Sequence, residues 1–323
     1  MRVLLIKMSS LGDVVHALVG VTDAARAKPG IVFDWVVEEA YQDIPKWHPT
    51  VRRVILAPLR RWRKSPVQTV WSGELKVFHE ELRQESYDLV LDAQGLLKSA
   101  VVGQRAKGIL AGRSAKSARE PAAALLYKKR IDVDLKRTEV EQLRQLFARA
   151  IGYDEPDKPA DFGIDRAQFE VSGGGSRYAV LLHGAAWESK LWPEEKWIEL
   201  GRFVRGKGLR VTLPWGNAEE RSRAERIATA INGEVAEQMR IPELARLLAN
   251  AEFVVGLDTG LTHIAIALGT RTVTLYGPSV PVYDRVALGA LVNLCSNESK
   301  AVDTSRPNTV AVNQVIGALQ GWL

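Results

Sequence analysis

Three stretches of this chain carry side chains able to move a proton or hold a phosphate. The first, Lys7-Met-Ser-Ser-Leu-Gly-Asp13-Val-Val-His16, sets a carboxylate just after a turn of small residues. A carboxylate held within hydrogen-bond reach of a hydroxyl can take its proton. The same position suits a helix cap, because an acid in a first turn interacts favourably with the positive end of the helix, and spacing alone leaves both roles open. The second stretch runs Leu181-Leu-His-Gly-Ala-Ala-Trp-Glu-Ser-Lys190-Leu-Trp-Pro193, and the third Phe253-Val-Val-Gly-Leu-Asp258-Thr-Gly-Leu-Thr-His263. Lys190 is either a phosphate partner or one exposed lysine among many, and Asp258 and Thr259 either face an anion or only cap the helix that follows. Together with Leu213-Pro-Trp-Gly-Asn-Ala-Glu-Glu220, these stretches aim Lys190, Glu220, Asp258 and His263 at one rim, a set suited to a nucleotide diphosphate. Pro193 followed by Glu194 and Glu195 reads as a plain helix start.

Positioning such groups requires strands that end where they begin. Val3 to Ile6 is aliphatic without alternation, the pattern of a strand covered on both faces in a parallel sheet. Further strands are predicted over residues 32–37, 53–56 and 88–91, with a helix over 75–85 and a strongly amphipathic one over 139–151. The cycle restarts with strands over 178–182, 209–213, 253–256 and 272–276, and helices over 194–207, 219–231, 241–248 and 261–268. Between the halves lies Gly152-Tyr-Asp-Glu-Pro-Asp-Lys-Pro-Ala-Asp161, a polar, proline-bearing stretch that reads as a linker, and Gly173-Gly-Gly-Ser176 forms a second loop signal. This is an α/β chain of two doubly wound domains facing across a cleft, with ligands expected beyond the carboxyl ends of the strands. The loop before Asp13 has one glycine, not the three of a dinucleotide-binding fingerprint.

At 323 residues, 46% apolar and 25% charged, the chain has the length of two domains of roughly 150 residues each. No run approaches the roughly 18 apolar residues of a membrane span, and the first strand begins too early for a signal peptide, so a cytoplasmic protein is expected. Cys295 is the single cysteine, which excludes an intrachain disulfide, and the five histidines show no zinc-type pairing. No cofactor or catalytic metal is expected. The net charge of +6 suits an anionic partner. Arg52, Arg53, Arg60, Arg61, Arg63 and Lys64 crowd a segment bearing Trp47, Trp62 and Trp71, a composition that fits either a solvated basic loop or a surface for anionic membrane.

Six ordered motifs carry a resemblance that runs nearly the length of the chain. Lys7-Met-Ser-Ser-Leu-Gly-Asp-Val-Val-His16, Phe33-Asp-Trp-Val-Val-Glu-Glu39, Arg60-Arg-Trp-Arg-Lys64, Asp92-Ala-Gln-Gly-Leu-Leu-Lys98, Lys190-Leu-Trp-Pro-Glu-Glu195 and Asp258-Thr-Gly-Leu-Thr-His263 resemble the lipopolysaccharide heptosyltransferase I group of glycosyltransferase family 9. The resemblance implies a GT-B fold of two Rossmann-like domains, residues 1–160 for the acceptor and 161–307 for the nucleotide-sugar donor, with a helix over 308–323, Trp322 included, returning to the first domain. It implies inverting, metal-independent transfer of a heptose from ADP-L-glycero-β-D-manno-heptose to Kdo of the lipid A precursor in the inner core of a Gram-negative lipopolysaccharide. The implied catalytic residues are Asp13, as base, and Lys190, on the donor diphosphate. Ala185, Ala186, Lys190, Glu220, Asp258, Thr259, Gly260, Leu261 and His263 fall at donor positions. Ser10, Gly12, Arg60, Arg61, Arg63, Lys64, Lys98 and Arg119 fall at acceptor positions. A monomer attached peripherally to the anionic inner leaflet is expected, with no nucleic-acid partner.

The chain departs from the family pattern at Ala185 and Ala186, where hydroxyl residues usually contact the donor phosphates. Each lost hydrogen bond to a charged oxygen weakens binding by about 1.5–3 kcal/mol if nothing replaces it. The helix after Asp13 reads His16-Ala-Leu-Val-Gly20 in place of a threonine and a proline, and Ser279-Val-Pro281 replaces a more usual Thr-Asp-Pro. The competing readings are a transferase adding a later core heptose and a catalytically weak nucleotide-sugar-binding homologue.

Overall fold

The computed structural model describes residues 1–65, 69, 71–171, 177–283, 285–296 and 307–323, so the glycine-rich loop at 173–176 lies outside the described residues. The chain divides into two units, Met1–Ile164 and Asp165–Leu323, the division falling just beyond the proline-bearing stretch. Among the described residues, no helix is long and apolar enough to cross a membrane.

In the first unit, strands β1 (Arg2–Ile6), β2 (Val32–Val37), β3 (Val51–Leu56), β4 (Leu89–Asp92), β5 (Leu110–Arg113) and β6 (Lys129–Ile131) form one sheet in the order β3-β2-β1-β4-β5-β6. Every pairing in it is parallel. Val3, Leu4, Leu5 and Ile6 are fully buried, which explains their unbroken aliphatic run: β1 is covered on both faces. Successive strands are laid outward from β1 to β3, and the chain then returns to the other side of β1. The loops after β1 and β4 therefore leave the reversal point of the sheet, where doubly wound folds bind ligands.

Two helices of this unit, Leu11–Ala27 and Glu139–Ile151, pack closely side by side. Gly20 permits the approach, since a Cβ there would stand 2.7 Å from the Phe147 ring. Asp23 accepts from Arg144 Nε at 2.6 Å, an ion pair almost closed to solvent that fixes the register of the two helices.

In the second unit, β7 (Tyr178–Leu182), β8 (Arg210–Leu213), β9 (Glu234–Val235), β10 (Phe253–Leu257), β11 (Thr272–Tyr276) and β12 (Leu291–Cys295) repeat the plan in the order β12-β11-β10-β7-β8-β9, again parallel throughout. The reversal here lies between β7 and β10, so the loops carrying Lys190 and Asp258 leave from neighbouring strands.

The last helix, Val312–Leu319, packs on the core of the second unit. Val312, Val315 and Leu319 join the core beside Trp197, Leu200 and Val204 of the helix Glu194–Gly206. Each such side chain contributes about 1.5–3 kcal/mol on burial. Trp192 Nε1 and Lys196 Nζ each donate to the Val310 carbonyl at 2.8 Å, and Trp322 lies 6.4 Å, ring to ring, from Phe253.

Candidate active site

In the first unit, the segment after β1 is held from both sides. Gln94, from the loop after β4, accepts through Oε1 from the Met8 and Ser9 amides at 3.0 and 3.1 Å. Gln94 is itself set by Asp92, a fully buried carboxyl that accepts from the Gln94 and Gly95 amides, Ser99 Oγ and Tyr127 Oη. Burial outweighs these donors and pushes the Asp92 pKa up. Trp35 Nε1 donates to the Lys7 carbonyl at 2.9 Å.

Asp13 lies just beyond this held segment. It is a capping residue: Oδ2 accepts from the Ser10 amide at 2.7 Å and from Ser10 Oγ at 2.9 Å, at the start of the helix Leu11–Ala27. It is also part of a charged cluster. Lys7 Nζ stands 3.3 Å from Oδ1, and the ligating atoms of Asp13, His16 and Glu139 all lie within 4.8 Å of one another. Burial pushes the Asp13 pKa up, but the Lys7 charge, a hydrogen bond with Glu139, the Ser10 amide and the His16 charge together outweigh it and hold the carboxyl well below the usual range. Lys7, together with the Arg113 and Arg119 charges that bear on Glu139 and on one another, supplies positive charge beside these acids. Gly12 is buried in the first turn of the helix, while Ser10 is exposed.

The other acceptor positions fall into two groups. Arg60 donates to Tyr41 Oη at 3.1 Å and, with Lys98, bears on the Glu38 carboxyl, whose pKa burial nonetheless raises. Arg61 pairs with Glu74 at 2.8 Å and lies 3.7 Å from Glu39, so it faces acids of its own unit. Arg63 and Lys64, on the short helix Leu59–Lys64, are exposed, as are Lys98 and Arg119. The indoles of this segment do not form one surface. Trp47 is buried, and Trp62 donates to Glu74 at 2.9 Å and meets Phe78 edge-on, leaving Trp71, 86% exposed, as the one indole of the three that solvent reaches freely.

In the second unit, the strand ends converge as the motifs indicated. Lys190 Nζ donates to Asp258 Oδ2 at 2.6 Å and to the Asp258 carbonyl at 2.9 Å, and stands 5.1 Å from the centre of the Trp187 ring. Asn308 Nδ2 donates to the Lys190 carbonyl, anchoring the backbone of the same residue. His263 Nε2 lies 3.3 Å from Asp258 Oδ1. Burial raises the Asp258 pKa, yet the hydrogen bond and charge of His263 and the charge of Lys190 hold it well below the ordinary carboxylate range. Thr259 occupies the position before the helix Gly260–Ala267 without a side-chain capping bond, and the first residues of that helix, Gly260 and Leu261, are only partly covered. Glu220 reaches this rim from its own first helical turn, accepting from the Gly216 amide at 2.7 Å. It lies against Gly184, where a Cβ would come within 2.7 Å of the carboxyl. Ala185 packs partly on the core and Ala186 is exposed. The structure thus gathers Lys190, Glu220, Asp258 and His263 around the reversal of the sheet, with a cation and helix-start amides in one place, an arrangement that receives phosphate oxygens.

Sequence reasoning missed Glu139, Gln94 and Arg113. Glu139 reads from the sequence as the first residue of an amphipathic helix, and its carboxyl meets Asp13 only once the two helices are packed.

Known proteins are similar to this chain along most of its length. Residues 76–312 match glycosyltransferase family 9 (heptosyltransferase). Lipopolysaccharide heptosyltransferase 1 of Pseudomonas aeruginosa is 48% identical over 87% of this chain and 80% of its own length. The Escherichia coli K12 protein of the same name is 44% identical over 87% of this chain and 89% of its own. Among solved structures, E. coli heptosyltransferase WaaC with ADP superposes with a TM-score of 0.88 at 39% identity, covering all of both chains. WaaC with ADP-2-deoxy-2-fluoro heptose superposes with a TM-score of 0.85 at 40% identity, over 98% of this chain and 99% of that one.

Proposed function

The chain belongs to glycosyltransferase family 9, the heptosyltransferases, with the GT-B fold, and from that premise we propose that it transfers one L-glycero-D-manno-heptose from ADP-heptose to Kdo of the lipid A precursor. Transfer proceeds with inversion and needs no metal. The relatives that span most of the chain are named for the first heptosyltransferase, whereas heptosyltransferase 2 of E. coli K12 matches only 29% of it at 32% identity, which favours the first core heptose over a later one.

The observation that carries the reading is the contact of Lys190 with Asp258 beside the start of the helix Gly260–Ala267. A nucleoside diphosphate bound there meets the lysine and the amides of the first helical turn, and Glu220 is available to a ribose diol. Asp13, held ionised, takes the proton of the acceptor hydroxyl as that oxygen bonds to the anomeric carbon. The bond from that carbon to the diphosphate breaks with its electron pair on the phosphate oxygen, and Lys190 offsets the charge that develops there. Arg60, Arg63, Lys64, Lys98 and Arg119 are the cations offered to Kdo carboxylates and lipid A phosphates, bidentate where the partner is arginine. The exposed Trp71, with Arg63 and Lys64, supports peripheral attachment of a monomer to the anionic inner leaflet, on the cytoplasmic side.

The test is ADP release from ADP-heptose with Kdo-lipid A present, in buffer with and without EDTA. Acceptor-dependent release that EDTA leaves unchanged supports the reading. Absence of acceptor-dependent release overturns it, and abolition by EDTA overturns metal independence.

A further inference from the structure

The side chain nearest Asp13 in character is another carboxyl, and its place is set by the packing of the fold. Glu139 opens the helix Glu139–Ile151, whose register against the helix Leu11–Ala27 is fixed by the Phe147 ring against Gly20 and by the Asp23–Arg144 ion pair. Both helices begin at the same end of the sheet, so both positive ends face the two acids. An oxygen of each carboxyl lies within 4.8 Å of the other. Two acids brought so close hold protons as a pair, because each charge disfavours the other and a shared proton relieves it.

We infer that Asp13 does not act alone: Glu139 is the second carboxylate that receives the proton Asp13 takes from the acceptor. This rests on the reading of Asp13 as the base. The acceptor O–H bond breaks as an O–H bond forms on Asp13. Protonated Asp13 then donates its proton to the Glu139 carboxylate beside it, Asp13 returns to carboxylate, and Glu139 becomes the carboxylic acid that gives the proton to water. Glu139 acts only through Asp13.

The surroundings favour this direction. Asp13 is a weak resting base, held ionised by Lys7 and Ser10, whereas burial and then the charge of Asp13 push the pKa of Glu139 up. The proton therefore moves toward the group of higher affinity. The charged and titratable groups facing the pair are Lys7 after β1, His16 on the helix of Asp13, Arg113 at the end of β5, and Arg119 beyond it. Below the raised pKa of Glu139 the pair already holds a proton and the relay is blocked, so kcat has an acidic limb that reports the pair.

The experiment compares pH profiles of kcat and KM for the full chain with Asp13→Ala and Glu139→Gln, using ADP-heptose and Kdo-lipid A. Gln keeps the size and a polar group beside Asp13 but takes up no proton. The inference expects Glu139→Gln to melt like the wild type, to lose about 10-fold in kcat with little change in KM, and to move the acidic limb to lower pH. A Glu139→Gln enzyme with wild-type kcat and an unmoved limb, beside an inactive Asp13→Ala, overturns the inference and leaves the base intact. Full turnover by Asp13→Ala overturns the base and the inference together. Carboxyl ¹³C NMR of the wild type decides the matter without turnover. Glu139 should titrate above an ordinary glutamate and fall toward it in Asp13→Asn, whereas an ordinary titration indifferent to Asp13→Asn overturns the inference.

Discussion

Lys190 Nζ lies 2.6 Å from Asp258 Oδ2, and this contact joins the loops that leave β7 and β10 at the reversal of the second sheet. The carboxylate has a second partner in His263, so the lysine can turn toward an arriving phosphate without leaving Asp258 unaccompanied. Lys190→Gln should therefore lower kcat by about 10²–10³-fold, the scale of a removed charge-stabilising donor. ADP binding by calorimetry should weaken as well. Wild-type kcat in Lys190→Gln would remove the lysine from the chemistry.

Asp13 both caps a helix and, in this account, takes a proton, and two substitutions separate these roles. Asp13→Ala loses both, so it should cost about 0.5–2 kcal/mol of stability from the lost cap and about 10²–10⁴-fold in kcat. Asp13→Asn keeps an oxygen for the Ser10 amide and hydroxyl, and should melt closer to the wild type while turning over as poorly as Asp13→Ala. Urea unfolding beside single-turnover rates reads both, and an active Asp13→Asn would contradict the base.

Two glycines predict opposite outcomes for the same change. At Gly184 an added methyl meets the carboxyl of Glu220, the free end of a flexible side chain, so Gly184→Ala should leave the melting temperature nearly unchanged and raise the KM for ADP-heptose several-fold. At Gly20 the methyl meets the Phe147 ring, enclosed between packed helices, and Gly20→Ala should cost about 1–3 kcal/mol. Thermal melts and donor KM values for the pair check both.

Acid should destabilise both units through histidines that resist protonation. Burial holds His48 in the first unit and His183 in the second at about 4, against about 6.5 in an unfolded chain. Between these values the unfolded chain binds protons that the folded chain does not, so stability falls as pH drops from about 6.5 toward about 4. Each histidine accounts for about 1–3 kcal/mol of that fall. Urea midpoints at pH 7 and pH 5 should draw together in His48→Gln and in His183→Gln; an unchanged gap would contradict the assignment.

What the sequence disclosed follows from where each element sits. β1 and β10 are legible because covered strands are aliphatic along their whole length. β6 and β9 lie at sheet edges and read Lys-Arg-Ile and Glu-Val, short and charged, so no pattern marked them. The meeting of Lys190, Asp258 and His263 is legible because strand-end motifs are continuous in sequence and neighbouring strands bring them together. Glu139 is not, since its meeting with Asp13 depends on a helix register set by Gly20 and Phe147. The packing of the C-terminal helix is not legible because its apolar face names no partner, and the core beside Trp197 and Leu200 supplies one. The indoles near Arg60 give no sign of their burial in composition alone, and two of the three are used in packing.

The most direct test of the account is the NMR spectrum of the acceptor after incubation with ADP-L-glycero-β-D-manno-heptose. The account predicts one added heptose on Kdo, with the one-bond coupling at its anomeric carbon reporting the α configuration that inversion requires. A β-linked heptose, or an acceptor returned unchanged, would contradict it.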